Sequence, residues 1–523
     1  MTTARSIPPT RPRGILRPVP IVGLVAFVKL GLLLFCASAY GYFRDELYFL
    51  ACAHRLAWGY VDRPPFSIAL LAFATRLYGE TLLSVRLVPA LAGTVVIILT
   101  ARLARRFGAR PAAQGLAALS VLVAPALLGM DHVYSMGSFE VLFCVAAAGL
   151  LARALEADPA EATLPWIRVG LILGIGAMNS LPMLAFAAAL YIGMATTSQR
   201  TWLRRGGPWL ALAVMSVVFA PYVVWERAHG WPTLGFLANE ARAAFRHWSP
   251  LTFAWDRILG MGPVTVVVWV TGVVALLRSQ QLEPYRLFGV AFVLLFVESM
   301  VLGARGTAGV SLGFPIVVAA GAAALDPWLS TQRGRYPVLV TLLCVSGAIA
   351  TPLMIPLFRV QQYQGYARML GLGTGAANHD PDSTTAALPQ RFADMYGWPE
   401  MVRAVANVVD SLPPLDREDA VVLASNYGEA GALELFGGAV GLPKVISGHD
   451  QYWPWGTAGA SGRVVVAVGG DEARLRASFR TVDVAAVFGH SLAMPFERRV
   501  KIYVCRDSVE PLDVIWPSFK VYD

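Results

Sequence analysis

The sequence predicts a polytopic all-α membrane protein of about 11 transmembrane helices with a small α/β domain at its C-terminus. Of its 523 residues, 56% are hydrophobic and only 15% charged, where soluble domains carry roughly 25% charged residues. The apolar residues are gathered into runs near the ~20 that span a hydrocarbon core as a helix. After about residue 393, short β-branched runs alternate with helical ones, the pattern of an α/β unit.

Taken in order, the apolar segments fall near residues 19–42, 86–104, 112–129, 134–153, 165–179, 181–197, 208–225, 262–278, 286–303, 308–325 and 336–358. The first exceeds the roughly 7–15 residues of a signal h-region, so "ASAY" (37–40) reads as part of a retained helix and not as a cleavage site. The segments 165–179 and 181–197 are short, which sets the count only to within about one or two. No repeat of solenoid length is visible. Basic residues cluster in the N-terminal tail (Arg5, Arg11, Arg13, Arg17), after the second span (Arg102, Arg105, Arg106, Arg110), after the sixth (Arg200, Arg204, Arg205) and before the last (Arg333, Arg335). With alternating spans these share one side, which the positive-inside rule makes cytoplasmic. The N-terminus is then cytoplasmic in an inner or plasma membrane, and residues 42–66, the 226–261 loop and everything after 358 are extracytoplasmic.

Residues 1–358 are expected to form the membrane domain, 359–392 a linker rich in Gln, Gly, Asp and Thr, and 393–523 the soluble α/β domain. Its expected strands are "AVVLAS" (420–425), "KVIS" (444–447), "RVVVAVGG" (463–470) and "KIYVC" (501–505), with helices at 397–412 and 471–479. Gly469-Gly470 lacks the full glycine spacing of a nucleotide loop and reads as a plain strand-to-helix turn.

The net charge of +9 comes without a basic stripe interleaved with aromatics, so nucleic acid is not an expected partner. Much of the excess lies at the ends of apolar segments, where topology and lipid phosphate account for it. Cys36, Cys52, Cys144, Cys344 and Cys505 form neither a CxxC pair nor a metal-ligand spacing.

The stretch "YFRDELYFLACAHRLAWGYVDRPPF" (42–66) is the exception to this apolar character. Arg44, Asp45, Glu46, Arg55, Asp62 and Arg63 stand among Tyr42, Phe43, Tyr48, Phe49, Trp58, Tyr60 and Phe66. A wetted loop would explain the charges alone; with the aromatics they predict an amphipathic segment lying along the membrane interface. Asp45 directly follows the first span and is therefore held near the headgroup plane, and Pro64-Pro65 fix the backbone after Asp62-Arg63. This mixture suits chemistry on a lipid-phosphate-linked sugar. Such a donor brings a good leaving group, so transfer needs one carboxylate to take the acceptor's proton and cations to hold the departing phosphate.

The chain resembles the bacterial lipid-carrier-dependent glycosyltransferases of GT-C fold, glycosyltransferase family 39, which include protein mannosyltransferases and aminoarabinose transferases. The matching stretches are the one above, "LLSVRLVPALAGTVV", "DHVYSMGSFEVLF", "HGWPTLGFLANE", "SNYGEAGALELFG" and "VISGHDQYWPWG". The resemblance implies a polyprenyl-phosphate-sugar donor, inversion at the anomeric carbon, and membrane lipids as surroundings. It also implies Asp45 at the reaction centre, as base or as orienter of the acceptor, with Glu46 in support. Asp62 and Arg63 match the family's second acid-base pair, and in some relatives the acid there helps hold a divalent metal ion. His229 is the second metal candidate, against a plain hydrogen-bonded loop histidine, and two candidates make a weak metal site.

Asp62, Arg63, Arg86, Glu140 and Arg305 make up the expected set for donor phosphate and substrate. Arg86 is either an interfacial anchor or a phosphate contact. Glu140, an acid near one end of the fourth span, points to function or pairing. Lys29 in the first span either snorkels or pairs with another span, and Glu298 has no assigned task. Tyr452, Trp453 and Trp455 either stack on a sugar or pack the small domain against the membrane part. Three positions depart from the family pattern: Asn179-Ser180 where Asn-Lys is common, "ARGTAGVSLGFP" where a Gly-Lys-Pro-Tyr-Tyr-like loop is common, and Gly137 where Asn is frequent. The first two remove expected phosphate contacts. They keep open a catalytically silent relative that binds lipid or a partner protein, beside an enzyme acting on a lipid, envelope-glycan or protein acceptor. A lipid or solute transporter would need ionisable groups near midplane in corresponding halves; Lys29 and Glu298 supply some, but no paired, broken helices in two matching halves are visible.

Overall fold

A computed structural model describes residues 19–245, 249–302, 313–372 and 386–522. Every expected apolar segment contains a helix. These are α1 (Pro20–Cys36), α4 (Leu82–Arg106), α5 (Pro111–Leu122) with α6 (Pro125–Met130), α7 (Met136–Glu156), α8 (Thr163–Ala177), α9 (Pro182–Thr196), α10 (Gly206–Ala228), α13 (Val266–Arg278), α14 (Arg286–Val301), α15 (Phe314–Thr331) and α16 (Arg335–Met354). Proline opens α1, α5, α6 and α9, at the position where its missing N–H costs nothing. Among the described residues six helices are long and apolar enough to cross a membrane: α4, α7, α10, α14 with the turn before it, α15 and α16. A seventh forms if α12 (Pro250–Met261) and the helix after it count as one span, bent by 98°; Gly262, at φ +90°, makes that turn. Five more apolar helices, α1, α3 (Phe66–Tyr78), α5, α8 and α9, are shorter. The chain is a multi-pass membrane protein.

Two differences from expectation have local causes. The 112–129 segment is divided because Pro125 cannot donate and its ring clashes with the preceding turn. Residues 66–78, within an expected loop, form the apolar helix α3. Close helix packing uses glycine: a Cβ on Gly272 of α13 would lie 1.8 Å from the Val317 carbonyl oxygen of α15, and one on Gly321 the same distance from that of Val268. Lys29, fully buried in α1, pairs with Asp131 at 2.6 Å instead of snorkelling. Glu298 lies exposed on α14.

The expected linker is partly structured. α17 (Val360–Met369) lies within it and α18 (Gln390–Ala393) at its end, and Tyr363, Leu388, Phe392 and Met395 bury against Tyr40. Beyond it come α19 (Trp398–Asp410), α20 (Pro414–Asp419) and a five-stranded sheet, order β2-β1-β3-β5-β4. β1 (Ala420–Ala424) pairs in parallel with β2 (Val445–Ser447) and β3 (Val464–Val468), while β5 (Val500–Ser508) runs antiparallel to β3 and β4 (Phe479–Phe488). β4 was not among the expected strands. Its solvent side is largely exposed, so its sequence lacks the continuous apolar run that marks β1 and β3. Gly469 and Gly470 adopt positive φ in a turn into α23 (Glu472–Ser478), as read. One hydrophobic cluster runs from the membrane helices through α2 (Arg44–His54) and α21 (Tyr427–Gly437) to one face of the sheet; a second cluster covers the other face.

Candidate active site

The charged stretch does not lie as a wetted strip on an interface. Its α2 helix is clamped between α3 and α21, and residues 46–53 are all buried. Two glycines of α21 permit this approach. A Cβ on Gly431 would come 2.7 Å from the Leu47 carbonyl carbon, and one on Gly428 would meet the Arg44 side chain at 2.6 Å. The small domain is tied down further by Arg55, bidentate to Glu434 at 2.8 and 2.9 Å, by Arg44–Glu497 at 3.2 Å, and by Val61 N–H donating to Gln451 at 2.8 Å. Of the tail aromatics, Trp455 is covered by Arg55 at 4.3 Å and stands edge-on to Tyr452, 4.9 Å apart, whereas Trp453 packs within the small domain against Tyr522.

Glu46 and Arg86 prove to be structural partners. Arg86 donates Nε to Glu46 Oε1 at 3.0 Å and Nη2 to Oε2 at 2.8 Å, and its guanidinium also reaches the carbonyls of Ala37 (2.8 Å) and Gly41 (2.7 Å). Glu46 accepts in addition the N–H of Phe43, which caps α2, and that of Tyr134, both at 2.9 Å. With 1% and 0% of their side chains exposed and their charges spent on each other, the two are out of reach of a substrate. Arg86 is therefore neither an interfacial anchor nor a free phosphate contact, and Glu46 supports Asp45 only by fixing the helix that carries it.

Asp45, one residue earlier on the same helix, is half-buried. Tyr427 Oη donates to its Oδ1 at 2.9 Å, and no other described residue donates a hydrogen bond to this carboxylate. Burial raises its pKa above the usual carboxylate value, against the pull of Arg63, the Tyr427 hydrogen bond and Arg44; Asp62 pushes the same way as burial. Arg63 is held by a turn in which Tyr60 and Arg63 exchange backbone hydrogen bonds. Its guanidinium lies 3.9 Å over the Phe49 ring and donates Nε to Asp62 at 2.6 Å. Its Nη2 also bonds Asp62, which accepts the Tyr48 hydroxyl at 2.8 Å. Arg63 Nη1 is buried with no partner among the described residues. The site thus combines a carboxylate with one engaged oxygen and a cation with one uncommitted guanidinium nitrogen.

Glu140 is not drawn into this group. It accepts from Ser180 at 2.7 Å, so the residue standing at the relatives' lysine position contacts this acid directly. Arg305 lies outside the described residues. His229 is exposed, stacks on Trp225 at 4.3 Å and has Nδ1 2.8 Å from the Trp225 carbonyl. Asp62 already carries a guanidinium, and among the described residues no group of three His, Cys, Asp or Glu side chains is arranged to hold a metal ion. Asp62 and His229 therefore do not make a metal site among the described residues.

Several residues around the site had no role in the sequence reading. Besides Tyr427 they are Asp394, whose pKa burial lifts to about 6, Glu429, lifted to about 8 by burial and by Glu497, and Glu497 itself, raised by burial. Tyr427 and Glu429 belong to "SNYGEAGALELFG", which carried the family resemblance without any sign that it touches residue 45.

The fold is GT-C. ArnT from Cupriavidus metallidurans bound to undecaprenyl phosphate matches with a TM-score of 0.59 at 15% identity, covering 93% of this chain and 98% of that one. The same protein in the apo state gives 0.57 at 15%, covering 92% and 97%. The archaeal oligosaccharyltransferase AglB from Archaeoglobus fulgidus, in complex with an inhibitory peptide and a dolichol-phosphate, gives 0.54 at 11%, covering 86% and 69%. Residues 62–225 match the dolichyl-phosphate-mannose-protein mannosyltransferase family. No curated protein sequence matches the chain. Family match and fold together bear out the resemblance to membrane glycosyltransferases of the protein-mannosyltransferase type.

Proposed function

We propose that this protein transfers a sugar from a polyprenyl-phosphate-linked donor to an extracytoplasmic acceptor, with inversion and with Asp45 as the base. The observation that carries the reading is the pairing of a half-engaged carboxylate, Asp45, with the unspent Nη1 of Arg63. The lipid phosphates bound to the similar ArnT and AglB structures support the donor class. The acceptor's oxygen bonds to the anomeric carbon on the face opposite the phosphate. The carbon–oxygen bond to phosphate breaks, its electron pair leaving on the polyprenyl phosphate, and the acceptor's proton passes to Asp45. Arg63 stabilises the charge growing on the departing phosphate, and Asp62 and Phe49 hold its fork in place. The N-terminus and the basic turns face the cytoplasm of an inner or plasma membrane, and the α/β domain covers the site from outside.

The test is transfer of labelled sugar from a panel of polyprenyl-phosphate donors by purified protein in liposomes, beside Arg63→Met. Turnover that falls at least about tenfold with weaker donor binding supports the reading; turnover and donor binding equal to wild type contradict it.

A further inference from the structure

We propose that Tyr427, from the C-terminal domain, is a positioning residue for the carboxylate of Asp45, so that the active site is complete only when that domain is docked. The inference rests on the reading of Asp45 as the base.

Tyr427 is unusually well fixed for a residue at the start of a helix. Asn426 caps α21, its Oδ1 accepting the N–H groups of Gly428 at 3.0 Å and Glu429 at 2.9 Å, while Glu429 reaches back to the N–H of Ser425 at 2.8 Å and of Asn426 at 3.3 Å. The phenol ring is wedged between Tyr48 and His449, each 5.1 Å away by centroid, and the Arg44 guanidinium lies 5.8 Å over it. Little freedom remains for the hydroxyl except toward Asp45 Oδ1. An aspartate just past a membrane span would otherwise sample several rotamers. Held through Oδ1, it keeps one orientation and offers the other oxygen to the acceptor. The same hydrogen bond favours the ionised form, the one able to take a proton.

The charged and titratable groups facing Asp45 are Arg44 on its own helix, Asp62 and Arg63 from the 60–63 turn, Tyr427 from α21 and Asp394 from the segment after α18. Of these, Tyr427 alone makes a direct hydrogen bond to the carboxylate among the described residues. Removing its hydroxyl therefore acts on Asp45 without altering any charge in the cluster.

The experiment is the pH profile of kcat/KM for wild type, Tyr427→Phe, Glu434→Gln and Asp45→Asn in liposomes, with donor binding measured in parallel. Glu434→Gln weakens one clamp only, the Arg55 pair; Arg44–Glu497 and Val61–Gln451 remain to keep the domain docked and Asp45's partners in place. Tyr427→Phe is expected to move the acidic limb upward by about one pH unit, the shift that corresponds to losing one charge-assisted hydrogen bond. Donor affinity should stay unchanged, and Glu434→Gln should leave the limb in place. Should Tyr427→Phe not fold, a fluorotyrosine at 427, a stronger donor of the same shape, is expected to move the limb downward. A limb that stays put in both Tyr427 proteins, or that moves equally in Glu434→Gln, overturns the proposal and makes Tyr427 a packing residue. If Asp45→Asn retains turnover, the base assignment itself falls; if it is dead while the Tyr427 limb is unmoved, only the present inference falls.

Discussion

At the scale of single residues, the charges of 42–66 divide into two kinds that no spacing rule separates. Glu46 and Arg86 are 40 positions apart and neutralise one another inside the protein, whereas Asp45 has one oxygen that accepts no hydrogen bond among the described residues. Glu46→Gln leaves Arg86 charged and buried without its partner, so it should destabilise by about 3–5 kcal/mol, seen as a fall in the thermal midpoint. A midpoint equal to wild type would mean that the pair is not buried as described. Because burial raises Asp45's pKa, turnover should fall on acidification through a value above the usual aspartate range, as the base takes up a proton. A rate held constant down to about pH 4 would contradict that. The acidic pair was legible in the sequence, and the family resemblance singled out Asp45 with Glu46 in support. What was not legible is how Glu46 is tied up, since Arg86 and Tyr134 fold back onto it only in the tertiary structure.

Among the elements, α2 and α21 matter most. Composition and periodicity locate most spans and most of the small domain's strands, because hydrophobic runs and period-2 patterns are properties of the chain itself. They misplace α2: it is expected along the membrane interface, and instead it is buried, with Tyr48 against Tyr427 of α21 and Phe49 against Tyr134. A half-polar helix can be covered by lipid or by a second domain, and its sequence alone does not distinguish the two. The glycines of α21 are the device that lets the domain cover it. Gly431→Ala presses a methyl against the Leu47 backbone, which cannot give way cheaply. It should cost about 1–3 kcal/mol and reduce turnover. Gly438, just past the helix with nothing within 4 Å of an added Cβ, is the control, and Gly438→Ala should be silent in the same melting and transfer assays.

For the whole molecule, the membrane part and the α/β domain share a continuous core, and buried carboxylates crowd that junction. Burial, with Glu497 beside it, raises the pKa of Glu429 from the ordinary 4.5 to about 8. The folded state thus binds more protons than the unfolded one between these values, and stability is lost as pH rises through that window. Thermal midpoints should fall from pH 5 to pH 9, and Glu429→Gln should flatten the slope; an unchanged slope in the variant would place the pH dependence elsewhere. The GT-C architecture and the small α/β domain could be anticipated from the chain. Their junction could not, since it is made of contacts between residues nearly 400 positions apart, such as Tyr427 and Asp45. The central claim, that Asp45 is the base of a sugar transfer from a lipid phosphate, is tested most directly by comparing wild type and Asp45→Asn in liposomes with labelled polyprenyl-phosphate sugars. The account predicts that turnover drops by about 10²–10⁴-fold while donor binding persists. Wild-type turnover in the variant would contradict it.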